Sequence, residues 1–228
     1  MPAYTRYAVY YLPPKGSDLA SFGAAWLGWD NAAGQNVPHP NAGTVDVASI
    51  TATPRKYGFH GTMKPPFRLA EGTSADELKE AVGVVAAKTA PFDAPSLTLK
   101  SLGYFLALVP SAPCPPLADL AGHCVMDLDQ FRAQPTEAEL IKRRAAGLTG
   151  AQEANLQAWG YPYVLDQFRF HLTLSGRLAE PMLAKVGTVL ESLTAPFCAA
   201  PMPVRDIAIL GEAGDGKFHL IQRFKLTG

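Results

Sequence analysis

Two segments of this chain share one pattern, an aromatic residue followed by His-x-Thr within a strand-like stretch. The first is FHGT at residues 59–62, and the second is FHLT at residues 170–173, about half of the chain later. On a strand, alternate side chains share a face. In both segments this alternation separates a polar row that contains the histidine from an apolar row that a core can bury. We therefore expect two half-buried strands, one in each half of the fold.

The two polar rows have similar composition. The first contains His60, Thr62 and Lys64, and the second contains Arg169, His171, Thr173 and Ser175. Imidazoles, hydroxyls and cations together suit a phosphate, because they bind its oxygens and offset the charge of its transition state. One imidazole can take a proton from the attacking oxygen while the other protonates the leaving oxygen. We predict that His60 and His171 act as this pair on a phosphodiester, and that Thr62 and Thr173 contact the phosphate.

A cyclic phosphodiester is the substrate that this pair suits best, because its ring keeps the leaving oxygen close to the general acid. Further substrate contacts are expected from cations, a hydroxyl and an aromatic side chain near the two segments. Each of these residues also has an ordinary explanation, as a solvated charge or as part of the core. The candidates are Lys64, Arg169, Ser175, Arg177, Arg143, Arg144 and Tyr7.

The sequence contains no pattern that is typical of a metal or cofactor site. Its three cysteines form no CxxC pair, and no HExxH spacing is present. We therefore expect no metal, no cofactor and no disulfide framework.

Charge and hydropathy narrow the class of protein further. Twenty basic residues balance twenty acidic ones, which argues against the broad positive field that captures a long nucleic acid. The first residues lack a secretory leader, and no apolar run is long enough to span a membrane. We expect a cytoplasmic protein with a small-molecule substrate, and the sequence indicates no protein partner.

Hydrophobic periodicity predicts the same order of elements in each half: a helix, a signature strand, a second helix and a further strand. Residues 30–54 are predicted to be mostly a surface loop, and the strand of His60 is predicted to end at Pro65-Pro66. Ser74 and Glu77 predict a capping box at the start of a helix. The two lobes are predicted over residues 1–109 and 110–228 of a single domain, with strand exchange between the lobes left open.

FHGT and FHLT, in two halves of a chain of this length, resemble the two-histidine (2H) phosphoesterase superfamily. The resemblance implies an α+β, bilobal, pseudo-twofold fold in which two antiparallel sheets face a central cleft and helices lie outside. It also implies catalysis by His60 and His171, with phosphate contacts from Thr62 and Thr173.

The strings RYAVYYLPP, PRKYGFHGTMKPPFRL and FRFHLTLSGRL further resemble a bacterial subfamily found beside phosphonate-degradation genes. This implies a metal-independent hydrolase that opens 5-phosphoribosyl 1,2-cyclic phosphate. Two alternatives stay open: an RNA or nucleoside 2′,3′-cyclic phosphodiesterase, and a non-catalytic phosphosugar- or nucleotide-binding regulator. The insertions at 30–54 and 110–160 are expected to close the cleft over a small substrate.

Overall fold

The computed structural model describes residues 4–228. In chain order its strands and helices are β1 (Arg6–Tyr11), α1 (Asp18–Leu27), β2 (Trp29–Asp30), β3 (Gln35–Asn36), α2 (Val47–Ile50), α3 (Ala52–Arg55), β4 (Gly61–Phe67), α4 (Ala75–Ala87), β5 (Phe92–Ala94), β6 (Leu97–Leu102), β7 (Phe105–Pro110), α5 (Pro115–Met126), α6 (Glu137–Arg144), α7 (Gly150–Trp159), β8 (Leu172–Thr173), α8 (Glu180–Thr194), β9 (Met202–Val204), β10 (Asp206–Glu212) and β11 (Phe218–Lys225).

Seven strands form one antiparallel sheet in the order β11-β10-β1-β4-β8-β7-β6. The sheet has two halves, which join between β4 and β8 through the single residue pair Gly61↔Leu172. The predicted α+β class with antiparallel strands is confirmed. The two predicted sheets are in contact along one edge, so they form a continuous sheet with a narrow junction.

Each half of the sheet takes strands from both halves of the chain. The C-terminal strands β10 and β11 extend the half that contains β1 and β4. The strands β6 and β7, which precede the middle of the chain, extend the half that contains β8. Both signature segments consequently lie at the centre of the sheet.

Helices cover one face of this sheet and bury the main core. α4 packs on β10 and β11, α5 packs on β4, and α8 packs on β6 and β7. α1 lies on the same side, where the Trp26 indole nitrogen donates a hydrogen bond of 2.7 Å to the Leu174 carbonyl oxygen. This bond ties the first helix of the chain to the second signature segment. No helix of residues 4–228 has the length and apolar character needed to cross a bilayer.

Local sequence explains where several elements begin and end. The capping box predicted at Ser74 and Glu77 is present at the start of α4. The predicted end of a strand at Pro65-Pro66 is wrong, because β4 continues through both prolines to Phe67. The edge of β4 that faces β8 is paired only at Gly61. The two prolines lie beyond that pair, so their lack of N–H groups costs no hydrogen bond to β8. Residues 30–54 are also more ordered than predicted, since they contain β2, β3 and the short helices α2 and α3.

Candidate active site

The junction between the two halves of the sheet brings the two His-x-Thr segments together. Gly61 pairs with Leu172 in antiparallel register. Continuing this register by one residue in each direction places His60 opposite Thr173, and Thr62 opposite His171. Opposite residues in such a ladder point to the same face. The two histidines and two threonines therefore form a twofold arrangement on one face, while Leu172 is buried in the core on the other.

Both imidazoles are held in the same orientation by backbone carbonyl groups. Nδ1 of His60 lies 2.8 Å from the Gly58 carbonyl oxygen, and Nδ1 of His171 lies 2.8 Å from that of Arg169. A carbonyl oxygen can only accept, so Nδ1 carries a proton in both rings. Nε2 is left to exchange protons with a ligand. In His60 this nitrogen lies 3.1 Å from Thr62 Oγ1, whose hydroxyl can donate to it.

Burial favours the neutral form of both histidines. Loss of solvent lowers the pKa of His60 from 6.5 to about 4, with a further lowering from the positive charge of His171 and an opposing effect of the Gly58 carbonyl. Desolvation also lowers the pKa of His171, against the effect of the Arg169 carbonyl. The electrostatic coupling means that protonation of one ring disfavours protonation of the other.

An aromatic residue that was not among the predicted site residues supports His60. The Tyr10 ring stacks on the His60 imidazole, with centroids 3.7 Å apart and planes inclined by 21°. Tyr10 is only 1% exposed, and burial raises the pKa of its hydroxyl well above its ordinary value. Strand alternation contained this signal, because Ala8, Tyr10 and Leu12 share the face opposite to Tyr7, Val9 and Tyr11.

The space above the junction, which we call the cleft, has two parts. One part, of about 600 Å³, is lined by Thr62 and His171, and the other, of about 420 Å³, is lined by His60 and Thr173. Phe105, beside the turn between β6 and β7, lines both parts. Each histidine therefore shares its part of the cleft with the threonine from the opposite strand, as the register requires.

Two of the predicted cations lie at the cleft. Arg169 is exposed and lines the part that contains His171. Arg177 lines the part that contains His60, where its guanidinium carbon lies 3.6 Å from the centroid of the Tyr104 ring. Ser175 borders the same part, but its hydroxyl accepts a bond from the Leu106 N–H and donates one to the Gly176 carbonyl oxygen. Ser175 therefore has a structural role in this arrangement.

The predicted position of Lys64 in the polar row is wrong. The register between β1 and β4 shifts between Tyr10↔Thr62 and Val9↔Lys64, so a β-bulge at Met63 interrupts the alternation. Lys64 consequently points to the helix side and is only 2% exposed. Its ammonium donates to the Val125 carbonyl oxygen of α5 at 2.9 Å and lies 3.4 Å from an Asp129 carboxylate oxygen.

Two further predicted contacts are also corrected. Tyr7 packs in the core under the helices, at the face of β1 opposite to Tyr10. Arg144 forms an ion pair of 2.8 Å with Glu153 on α7 and lines none of the cavities described here. Its neighbour Arg143 lies with its guanidinium carbon 4.6 Å from the centroid of the Tyr161 ring, and Tyr161 borders the cleft.

The insertion at 110–160 contributes one side chain to the cleft, and the residues that follow it contribute several more. Gln152 of α7 lines the part that contains His171, together with Tyr161, Tyr163 and Gln167. No group of three or more His, Cys, Asp or Glu side chains within residues 4–228 is arranged to hold a metal ion.

The helix-backed antiparallel sheet brings the two His-x-Thr segments together where its halves meet. A family model described as "Protein of unknown function (DUF1045)" matches residues 62–219. The chain belongs to this family.

Curated relatives are longer than this chain. A protein of Janthinobacterium sp. (strain Marseille) named "Ribose 1,5-bisphosphate phosphokinase PhnN" is 36% identical over 232 residues, which is 98% of this chain and 51% of the relative. A protein of the same name from Laribacter hongkongensis (strain HLHK9) is 34% identical over 175 residues, 77% of this chain and 41% of the relative. The chain thus spans about half of the length of these relatives or less.

Two solved structures show a general likeness at low sequence identity. E. coli LigT complexed with 3′-AMP has a TM-score of 0.46 and 14% identity, covering 99% of this chain and all of the other. A crystal structure described as a phosphoesterase has a TM-score of 0.44 and 14% identity with the same coverage.

Proposed function

We propose that this chain is a metal-independent cyclic phosphodiesterase that opens a small cyclic phosphodiester by acid and base catalysis from His60 and His171. The observation that carries this proposal is the twofold arrangement at the junction, in which each imidazole shares its part of the cleft with the threonine of the opposite strand. Both imidazoles bond a backbone carbonyl through Nδ1, which leaves Nε2 as the nitrogen that can exchange a proton with a substrate. Together they supply both proton transfers that hydrolysis of a phosphodiester requires.

In the proposed reaction, water attacks phosphorus in line with the leaving ester oxygen. Nε2 of His60 takes the proton of the water as the new phosphorus–oxygen bond forms. Nε2 of His171 gives its proton to the leaving oxygen as the old bond breaks, and the product is a phosphate monoester with a free hydroxyl. Thr173 donates to a nonbridging oxygen, where negative charge builds up. Thr62 does the same once the substrate displaces its hydrogen bond to His60 Nε2, which also frees that nitrogen to act as the base.

Two observations favour His60 as the base. Its pKa of about 4 keeps it neutral at neutral pH, and the stacked Tyr10 ring holds its imidazole in place. A bound phosphate raises the pKa of a neighbouring imidazole. Nε2 of His171 has no hydrogen-bond partner among residues 4–228, so a bound phosphate can contact it directly. We therefore propose His171 as the acid.

The substrate we propose is 5-phosphoribosyl 1,2-cyclic phosphate, in phosphonate breakdown. Hydrolysis of its bond between phosphorus and O2 gives ribose 1,5-bisphosphate, the compound in the name of both curated relatives. The kinase in that name has no support in this chain. Residues 211–217 have the spacing G-x-x-x-x-G-K, but Phe218 follows where Ser or Thr is needed, and the segment joins β10 to β11 and not a strand to a helix.

A second candidate is hydrolysis of nucleoside or RNA 2′,3′-cyclic phosphates. Tyr104 is 56% exposed beside the part of the cleft that contains His60. With the Arg177 guanidinium beside it, this ring offers a face on which a base can stack.

The test compares 5-phosphoribosyl 1,2-cyclic phosphate with nucleoside 2′,3′-cyclic phosphates in the presence of a chelator. We expect the sugar substrate to be opened with the higher kcat/KM, and ³¹P NMR to identify ribose 1,5-bisphosphate. His60→Ala and His171→Ala should lower kcat by roughly 10²–10⁴-fold, because each removes one proton transfer. His123→Ala is the control, since His123 lies on α5 with an exposed side chain beside Asp127.

Three results would contradict parts of the proposal. Normal activity of both histidine variants would exclude the mechanism. A strong preference for nucleoside 2′,3′-cyclic phosphates would exclude 5-phosphoribosyl 1,2-cyclic phosphate as the substrate and favour the second candidate. A rise in melting temperature with ligand, but no opening of either class, would identify a non-catalytic binding protein.

A further inference from the structure

A strongly cationic cavity lies beside the cleft. It has a volume of about 550 Å³, and we call it the basic pocket. One carboxylate, that of Glu139, is among its lining groups. The cationic lining residues are Arg6, Lys56, Arg68, Arg132, Lys142 and Arg143.

Half of these cations are not neutralised by the protein. Arg6 pairs with Glu212 at 2.6 Å, Arg68 with Glu139 at 2.9 Å, and Arg132 with Asp129 at 2.8 Å. Within residues 4–228, the other three cations have no carboxylate within 4.0 Å; they are Lys56, Lys142 and Arg143. The chain as a whole is neutral. An excess of positive charge in a concave site of a neutral protein is a local feature that attracts an anion.

Arg132 forms part of the wall of the basic pocket. Its side chain is 8% exposed, and Asp129 engages Nε and Nη2. Its Nη1 is buried and has no hydrogen-bond partner among the described residues. A buried guanidinium donor without an acceptor is costly. This nitrogen is enclosed beside Gly160, so Arg132 contributes positive charge to the pocket wall and not a donor that a ligand contacts directly.

The basic pocket adjoins the site of the histidines, because each part of the cleft shares a tyrosine with it. Tyr163 lines both the basic pocket and the part of the cleft that contains His171. Tyr57 lines both the basic pocket and the part that contains His60, and its ring centroid lies 6.1 Å from that of the His60 ring. The reacting phosphodiester and a group bound in the basic pocket would therefore lie on either side of these two tyrosines.

We propose that the basic pocket binds a phosphate monoester carried by the same substrate whose cyclic phosphodiester lies between His60 and His171. This inference rests on the proposed function and deepens it, because it assigns the second, terminal phosphate of the substrate to a site in the fold. A monoester dianion matches the surplus of cations better than the single negative charge of an RNA backbone phosphodiester. Arginine and lysine donors both bind such a group, arginine through two parallel bonds.

The experiment uses two pairs of substrates that differ only in the second phosphate. These are ribose 1,2-cyclic phosphate with and without a 5-phosphate, and adenosine 2′,3′-cyclic phosphate with and without a 5′-phosphate. We expect the wild-type chain to prefer the phosphorylated member of each pair in kcat/KM. Arg143→Gln should reduce that preference by roughly 10- to 100-fold, the effect expected for a lost hydrogen bond to a charged group. Arg144→Gln is the matched control, because the neighbouring arginine pairs with Glu153 outside the pocket.

The outcomes separate the two proposals. Equal kcat/KM for both members of each pair overturns the inference and leaves the phosphodiesterase intact. A preference for an oligoribonucleotide 2′,3′-cyclic phosphate over the 5′-phosphorylated mononucleotide also overturns it, by assigning the pocket to an RNA backbone. If no substrate is opened, ribose 5-phosphate is used as a probe of binding. If ribose 5-phosphate raises the melting temperature of the wild type but not of Arg143→Gln, the basic pocket binds a phosphate monoester even though the proposed function fails. An equal rise in both proteins contradicts phosphate binding in the basic pocket.

Discussion

Burial of the His60 imidazole couples the stability of the fold to pH. The unfolded chain protonates this histidine near its ordinary pKa of 6.5, whereas the folded chain does so only at about 4. Between these values the unfolded state holds more protons, so the free energy of unfolding decreases as the pH falls. One pKa unit corresponds to about 1.4 kcal/mol. Protonation of His60 alone should therefore lower the free energy of unfolding by up to about 3 kcal/mol over this pH range.

Urea unfolding at pH 7.0, 5.5 and 4.5 checks this prediction. His60→Ala lacks the titrating group, so its free energy of unfolding should fall less steeply with pH than that of the wild type. His123→Ala is the control, because it removes a histidine from an exposed position on α5. Identical slopes for His60→Ala and the wild type would mean that His60 titrates normally in the folded protein.

At this scale the sequence predicted the two triplets but not all of their neighbours. Alternation places His60 and Thr62 on one face, and Nε2 of His60 does lie 3.1 Å from Thr62 Oγ1, although β4 begins only at Gly61. It fails for Lys64, since the bulge at Met63 is a property of pairing with β1 and has no local signature. It also fails for Tyr7, which was predicted at the substrate and lies in the core. Alternation separates the two faces of β1, but which face meets the cleft depends on the order of the strands in the sheet.

Among the elements, the junction of β4 and β8 depends on a glycine. A Cβ atom at Gly61 would lie 2.3 Å from Cε2 of Phe170, the residue that precedes His171. We predict that Gly61→Ala displaces Phe170, lowers the free energy of unfolding by roughly 1–3 kcal/mol, and lowers kcat by moving His171.

Urea unfolding and initial rates measure both effects. Gly187→Ala is the matched control, because this position on α8 has no atom within 4 Å of the added carbon. In a helix that substitution should stabilise by up to about 1 kcal/mol. If Gly61→Ala proved as stable and active as Gly187→Ala, the close packing at the junction would not constrain the site.

Elements with strong local signals were predictable, and those defined by tertiary pairing were not. α4 has a capping box and an apolar stripe, and it forms where both predict it. The second signature segment is a regular strand only at Leu172–Thr173, although its alternation predicts a longer one. Its neighbours β4 and β7 together pair with it over only two residues, and the 3₁₀ turn at Leu165–Gln167 precedes it.

At the scale of the molecule, the sheet order determines what can fold alone. β1 pairs with β10 over five residues, from Arg6↔Glu212 to Tyr10↔Ala208. β7 pairs with both β6 and β8. A cut near the predicted lobe boundary therefore separates β1 from β10 and β7 from β8. We propose that residues 4–228 fold as one cooperative unit and that neither lobe is an independent domain.

Fragments 1–109 and 110–228 provide the test. In fragment 1–109, β1 loses its neighbour β10. The apolar side chains on the cleft side of β1 also lose their contacts with Leu210 and Phe218. In fragment 110–228 the two residues of β8 lose both neighbouring strands. We expect neither fragment to show a cooperative urea transition by circular dichroism, because each exposes core surface and unpaired strand edges. An equimolar mixture should regain the transition if the fragments reassemble. A cooperative transition in either fragment alone would instead make that lobe a domain, and the His60–His171 site an interface between two domains.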